Sequence, residues 1–131
     1  MKQVVNNDYK FSAVTGKIIG CAIEVHNVLG PGFQERVYQR ALEIEMSRQK
    51  ITFIREYENT IIYKNEIVGK RRTDFLVEGQ ISVELKAVKE TDDADLCQAI
   101  NYLEVYQLEI GLLINFGAKR LQYKRLVNSR Y

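Results

Sequence analysis

The stretch RRTDFLVEGQISVELKAV, residues 71–88, decides the fold. Within it, two apolar runs, Thr73 to Val77 and Ile81 to Lys86, flank Glu78, Gly79 and Gln80. Apolar alternation around a glycine-centred turn predicts a β-hairpin. Centring the turn on Gly79 sets Val77 opposite Ile81, Phe75 opposite Val83 and Asp74 opposite Glu84. Directly opposed residues share a face, and neighbours along a strand alternate. One face then carries Thr73, Phe75, Val77, Ile81, Val83 and Leu85, an apolar set fit for burial. The other carries Asp74, Leu76, Ser82, Glu84 and Lys86. A slip of one residue would scramble this sorting, so the pattern itself argues for the register.

That register brings two carboxylates to roughly 5 Å apart at Cβ. Opposed like charges destabilise a sheet, and neither acid ionises easily beside the other. A divalent cation between them removes the conflict, because hard cations take a few carboxylates and complete their shell with water or phosphate oxygens. Lys86 projects from the same face as Glu84, one pleat further on, where its ammonium can hold a phosphate or orient a water. The plainer alternative is a solvated hairpin face with scattered charges, since D…ExK is a short and permissive motif.

Working outward, the 131 residues fit one domain with a real core, residues 1–12 reading as a flexible N-terminal segment. Hydrophobic residues make up 46% and charged residues 27%, the balance of an ordinary globular protein. No run approaches a membrane span, and the start MKQVVNNDYK lacks the apolar region of a signal peptide. Cys21 and Cys97 lie in apolar helical patterns without metal-site spacing. They read as reduced, buried and inert, which points to the cytoplasm. A single histidine leaves little room for a zinc site. The net charge of +2 is too small to imply nucleic-acid binding by composition, so an anionic partner must be argued from local clusters.

On either side of the hairpin the chain alternates helical and strand periods. Ile18, Cys21, Ala22, Val25, Val28 and Leu29 recur at helical spacing, with Thr15 as a cap and Gly30-Pro31-Gly32 as the stop. A second helix is predicted from Gln34 to Arg48, its turns marked by Val37, Ala41, Leu42, Ile44 and Glu45. ITFIREY and TIIYKNEIVGKRR are rich in strand formers. Residues 92–107 predict a helix with Leu96, Ala99, Ile100, Leu103 and Tyr106 on one stripe and Asp92 and Asp93 at its positive end. IGLLINF reads as a strand covered on both faces, and LQYKRLV alternates as a closing strand.

Further residues admit both a structural and a functional reading. Gln98 and Tyr102, at i and i+4, share a helix patch that is either solvent-facing or turned toward Lys86. Glu35 sits in a first helical turn, where its charge suits the dipole, or where the glycine-rich entry aims it at a metal as a third carboxylate. His26, near the end of the first helix, suits that helix's dipole or serves as a ligand or hydrogen-bond donor beside Glu35. The basic clusters around Arg72, Lys119 with Arg120, and Lys124 with Arg125 are either solvated sheet edges or phosphate contacts, with Tyr123 placed to stack on a base.

These residues together resemble the GxxExxY proteins of the PD-(D/E)XK nuclease superfamily. Gly32, Glu35 and Tyr38 in GFQERVY stand as the name-giving motif, preceded by EVHNVLGPG. RTDFLVEGQISVELKAV, QAINYL and GLLINFG follow in order, so the resemblance runs from Thr15 to Val127. It implies an α/β restriction-endonuclease-like fold: a mixed sheet flanked by helices in the order α-α-βββ-α-ββ. It further implies that Asp74 and Glu84 bind a metal and that Lys86 assists the attacking water. Glu35 corresponds to the acid on the helix before the sheet and Gln98 to the polar residue on the helix after it, while His26 is a candidate further ligand. The expected activity is hydrolysis of nucleic-acid phosphodiesters, DNA or RNA, with Mg²⁺ or Mn²⁺. Tyr102, Arg72, Lys119 and Arg120 are the expected nucleic-acid contacts, and no membrane partner is expected. The competing expectation is a binding module on the same fold that does not cut, and pairing with a second copy is compatible with both.

Overall fold

Residues 11–130 are described by a computed structural model. In chain order the elements are α1 (Ser12–Leu29), α2 (Glu35–Arg48), β1 (Phe53–Tyr63), β2 (Glu66–Val77), β3 (Ile81–Lys86), α3 (Asp93–Tyr106), β4 (Ile110–Asn115) and β5 (Gln122–Val127). This is the expected α-α-βββ-α-ββ order. Residues 1–10 of the segment expected to be flexible lie outside the described residues, while Ser12 already belongs to α1. Thr15 therefore does not cap this helix. It is buried one turn inside, its hydroxyl donating to the Ser12 carbonyl at 3.2 Å.

The five strands form one sheet in the order β1-β2-β3-β4-β5. All neighbours are antiparallel except β3 and β4, which run parallel with α3 as the crossover. Ladder pairs Val77–Ile81 and Phe75–Val83 confirm the hairpin register around Gly79. The sequence ITFIREY does not stop where expected. It continues through TIIY as one strand, and Lys64 and Asn65 make the turn with φ of 48° and 68°. Two left-handed residues match the right-handed twist of the flanking strands, as two-residue hairpins require.

Helices α1 and α2 cover one face. Ile18, Cys21, Ala22 and Val25 of α1 and Tyr38, Leu42 and Met46 of α2 pack with Phe75, Val77, Ile81, Val83 and Leu85. The stripe of α2 is thus 38, 42 and 46, whereas Val37 and Ile44, expected to mark its turns, are exposed. On the other face, Ala99 and Leu103 of α3 pack against Leu113 and Leu126. Strand β4 is buried along its whole length, as its apolar run predicts. Gly111 lets Leu103 seat, since a Cβ there would lie 2.8 Å from the Leu103 Cδ2. The one polar side chain closing β4, Asn115, ties the far end of β3 in place. Its Oδ1 accepts from the Val88 and Gly117 amides at 3.0 Å each, and its Nδ2 donates to the Val88 carbonyl at 2.9 Å. Cys21 is buried but Cys97 is exposed, correcting the expectation that both are buried. Among the described residues no helix is long and apolar enough to cross a membrane.

Candidate active site

The site begins where β2 leaves β3. Their ladder ends at Phe75–Val83, so the expected backbone pairing of Asp74 with Glu84 does not form. Side chains take over the backbone groups left open. The Asp74 Oδ2 accepts the Leu85 amide at 2.7 Å, and the Thr73 hydroxyl lies 3.1 Å from the Val83 carbonyl and 2.9 Å from the Ser82 Oγ. Buried backbone groups must find partners, and these two side chains replace one ladder rung and hold the strands apart.

A matching irregularity lies on the other side of β2. Glu56 of β1 has φ of 55°, a left-handed residue inside a strand, and the ladder skips its pairing with Asp74. A left-handed residue breaks the alternation of side chains. Before it, Phe53 packs edge-on against Phe75 in the α1–α2 core. After it, Tyr57 meets Tyr106 of α3, with ring centroids 5.6 Å apart. Thr73 likewise lies with Ser82 and not with the apolar face to which plain alternation assigns it.

A cleft of ≈ 320 Å³ opens at this parting, lined by Glu35, Glu56, Arg72, Thr73, Asp74, Glu84, Leu85, Lys86, Gln98 and Tyr102. Seven residues of the sequence-based site are therefore gathered here: Asp74, Glu84, Lys86, Glu35, Gln98, Tyr102 and Arg72. Three are not. His26 is buried with its Nε2 3.0 Å from the Ala118 carbonyl and its ring beside Phe116, so it braces the loop after β4 and does not line the cleft. Lys119 and Arg120 are exposed on that same loop and also lie outside the cleft lining. Tyr102 lines the cleft but is only 8% exposed, covered by the Arg71 guanidinium 4.7 Å above its ring. Its face is closed to a stacked base.

Each element aims one part. The turn Gly30-Pro31-Gly32 is locked by Tyr38, whose hydroxyl donates to the Gly30 carbonyl at 2.6 Å and accepts the Phe33 amide at 3.2 Å. The Tyr38 ring stacks on Phe116 at 4.7 Å, which fixes the first turn of α2 and with it Glu35. Gln39, one residue on, donates to the Asp74 Oδ1 at 3.2 Å. The spacing of GxxExxY pointed to Glu35 but not to Gln39, which sequence reasoning missed. Asp95 was missed too: its Oδ1 lies 3.4 Å from the Lys86 Nζ. The only sign of it was an acid in the first turn of a helix.

The two central acids are held far from their ordinary ionisation. Burial pushes Glu84 up to about 8, the nearby Asp74 charge adding to the rise against the Thr73 hydroxyl and the Lys86 ammonium. Burial likewise raises Asp74 to about 6, opposed by the Leu85 amide and reinforced by Glu35 and Glu56. The Glu84 Oε1 is fully buried with no hydrogen-bond partner. Among the described residues no three His, Cys, Asp or Glu side chains converge as a ready metal cage. The donor set fits a hard cation held by two carboxylates, with the remaining positions left to water or substrate oxygens.

Residues 12–126 match the family model of the PD-(D/E)XK nuclease superfamily. The chain belongs to this superfamily. The (D/E)XK half of the superfamily's name stands here as Glu84-Leu85-Lys86, and Asp74 follows a threonine instead of the proline of the PD pair. The crystal structure of SSO0001 is similar in fold, with a TM-score of 0.57 and 17% identity over 72% of this chain. The match spans 50% of the SSO0001 chain, and at that identity it speaks for the fold alone. No curated protein matches the chain.

Proposed function

We propose that this superfamily member is a metal-dependent nuclease of the GxxExxY type that hydrolyses phosphodiester bonds in DNA or RNA. The observation that carries the reading is the Glu84 Oε1, a buried carboxylate oxygen without a partner, beside a second acid and an ammonium. Leaving such a group buried and unsatisfied is costly, and a cation supplies the missing partner. Asp74 and Glu84 are the proposed holders of Mg²⁺ or Mn²⁺, with Glu35 acting through water from the α2 wall. Bound there, the ion supplies a charge that lowers the pKa of a water and offsets charge growing on the phosphate.

The chain's own groups do the rest. Lys86, its side chain only 25% exposed, places a positive charge beside the reacting phosphate, where a pre-placed charge stabilises the transition state. Gln98 offers an amide on the α3 wall to orient the nucleophile or a phosphate oxygen. Arg72, exposed at the mouth, is placed to contact the nucleic-acid backbone. The GxxExxY assignment is supported by the Tyr38 lock, in which the motif's tyrosine fastens the two sides of the turn containing Gly32 and so presents Glu35. Cys21 and Cys97 form no disulfide, which supports a cytoplasmic setting.

A cleavage assay over DNA and RNA with Mg²⁺ or Mn²⁺ tests this, Lys86→Ala being expected to lose about 10²–10³-fold in rate. Equal behaviour of wild type and Lys86→Ala on every substrate defeats it. Salt-dependent nucleic-acid binding that ignores the metal and survives Asp74→Asn would establish a non-cutting module instead.

A further inference from the structure

We propose that Asp95 is a positioning residue that holds the Lys86 ammonium beside the acidic pair; the inference rests on the nuclease reading of the same cleft. Lys86 ends β3, and its four-carbon stem leaves the ammonium several places to go. Glu84 and Asp74 lie within its electrostatic reach on the sheet, and Asp95 faces it from α3. A lysine collapsed onto the two acids would occupy the place of the cation they are built to hold. The Nζ instead lies 3.4 Å from the Asp95 Oδ1, in a pair whose side chains are only 25% and 21% exposed.

Asp95 is itself held from behind. It is the third residue of α3 in a capping box: its amide donates to the Asp92 Oδ1 at 2.9 Å, and its Oδ2 accepts the Asp92 amide at 3.1 Å. The acid at this place in a capping box is ordinarily a Glu or Gln serving the helix start alone. Here one carboxylate oxygen serves the cap and the other is turned to the lysine. The helix bearing it is anchored by Ala99 and Leu103 on Leu113 and Leu126. The ammonium is thereby referenced to the rigid sheet through two routes, its own strand and the Asp92 backbone amide that holds the second Asp95 oxygen at the start of α3. Positioning of this kind matters because misplacing a reacting group by about 1 Å can cost about 10²-fold in rate.

The test compares Asp95→Asn, Asp95→Glu and Asp92→Ala in the full chain. Asp95→Asn is expected to slow cleavage at saturating substrate about 10- to 100-fold while the affinity for nucleic acid changes less than about threefold. Asp95→Glu restores most of the rate. Asp92→Ala removes the cap acceptor but keeps the backbone amide that holds Asp95, so it lowers Tm and leaves the rate within about threefold. A rate in Asp95→Asn that is unchanged, or faster than wild type, overturns the proposal. NMR of the Lys86 Cε group gives a readout independent of cleavage. Its two protons are expected to be distinct in wild type and Asp92→Ala and averaged in Asp95→Asn. A signal already averaged in wild type overturns the placement. Absence of cleavage by wild type, with a Lys86 signal that still depends on Asp95, defeats the nuclease reading and supports the placement of the lysine by Asp95.

Discussion

Strands β2 and β3 meet twice, in two different ways. From Phe75 to Val77 against Ile81 to Val83 they are joined by backbone rungs over a dry core. At Thr73 and Asp74 against Val83 to Leu85 they are joined by side chains, over a cleft that holds two carboxylates with raised pKa values. The first region is what apolar burial produces unaided. The second exists only because a hydroxyl and a carboxylate stand in for amides and carbonyls. The contrast teaches that the candidate site is a local break in the sheet, and that the residues of stability and those of the proposed chemistry adjoin on one strand.

The largest effect should come from the dry side. Phe75 is fully buried and meets Phe53 edge-on at 5.4 Å. Phe75→Ala is expected to destabilise by about 3–5 kcal/mol, part transfer and part cavity. Urea unfolding measures it, and a loss below about 1 kcal/mol would mean that this end of the hairpin is not the anchor. Below the unfolding transition, the proposed cleavage should persist, because Phe75 does not line the cleft.

The second effect breaks the side-chain rung. Thr73→Val keeps the shape and deletes the hydroxyl, leaving the Val83 carbonyl and the Ser82 Oγ short of a partner in a buried place. The expected loss is about 1–3 kcal/mol, with Thr73→Ser recovering most of it. If Thr73→Val proves as stable as wild type, the parting of the strands does not depend on this substitution of hydroxyl for ladder.

The two regions were also unequally legible. Period-two alternation and a glycine turn suffice to place Val77 opposite Ile81 and Phe75 opposite Val83, because burial of one face leaves a single good register. The same alternation misplaced Thr73. It has no means of seeing that Glu56, a strand away, adopts a left-handed conformation that glycine or asparagine would have announced. Glu84 and Lys86 were legible because spacing along one regular strand determines their common face. Asp95 and Gln39 were not, because they reach the site from separate helices through tertiary hydrogen bonds that no local period encodes. His26 shows the same limit from the opposite direction: its position near a helix end left several roles open, and a carbonyl 92 residues away decided among them.

The smallest effect sharpens the comparison by its sign. Glu84 titrates at about 8 when folded and at its ordinary 4.5 when unfolded. Below about 4.5 both states carry the proton and the group adds no pH dependence. As pH rises from there the unfolded chain releases the proton first, so stability falls steadily and levels off only once the folded carboxyl ionises near 8. Asp74, also raised, pushes in the same direction over the lower part of that window, from 3.8 to about 6. Glu84→Gln removes the largest contributor. In the presence of a chelator at pH 8 it is expected to raise Tm by roughly 3–5 °C, most of the gain being offset by the glutamine amide left in the same buried place, and to give no gain near pH 4.5. Under the proposed metal binding, the same variant should lose cleavage and should not be stabilised by added Mg²⁺ or Mn²⁺, whereas wild type should gain stability through mass action. A variant that is less stable than wild type at pH 8 would show the Glu84 carboxylate already satisfied within the chain. Its buried oxygen would then need no cation, and the two regions of the hairpin would differ in shape but not in purpose.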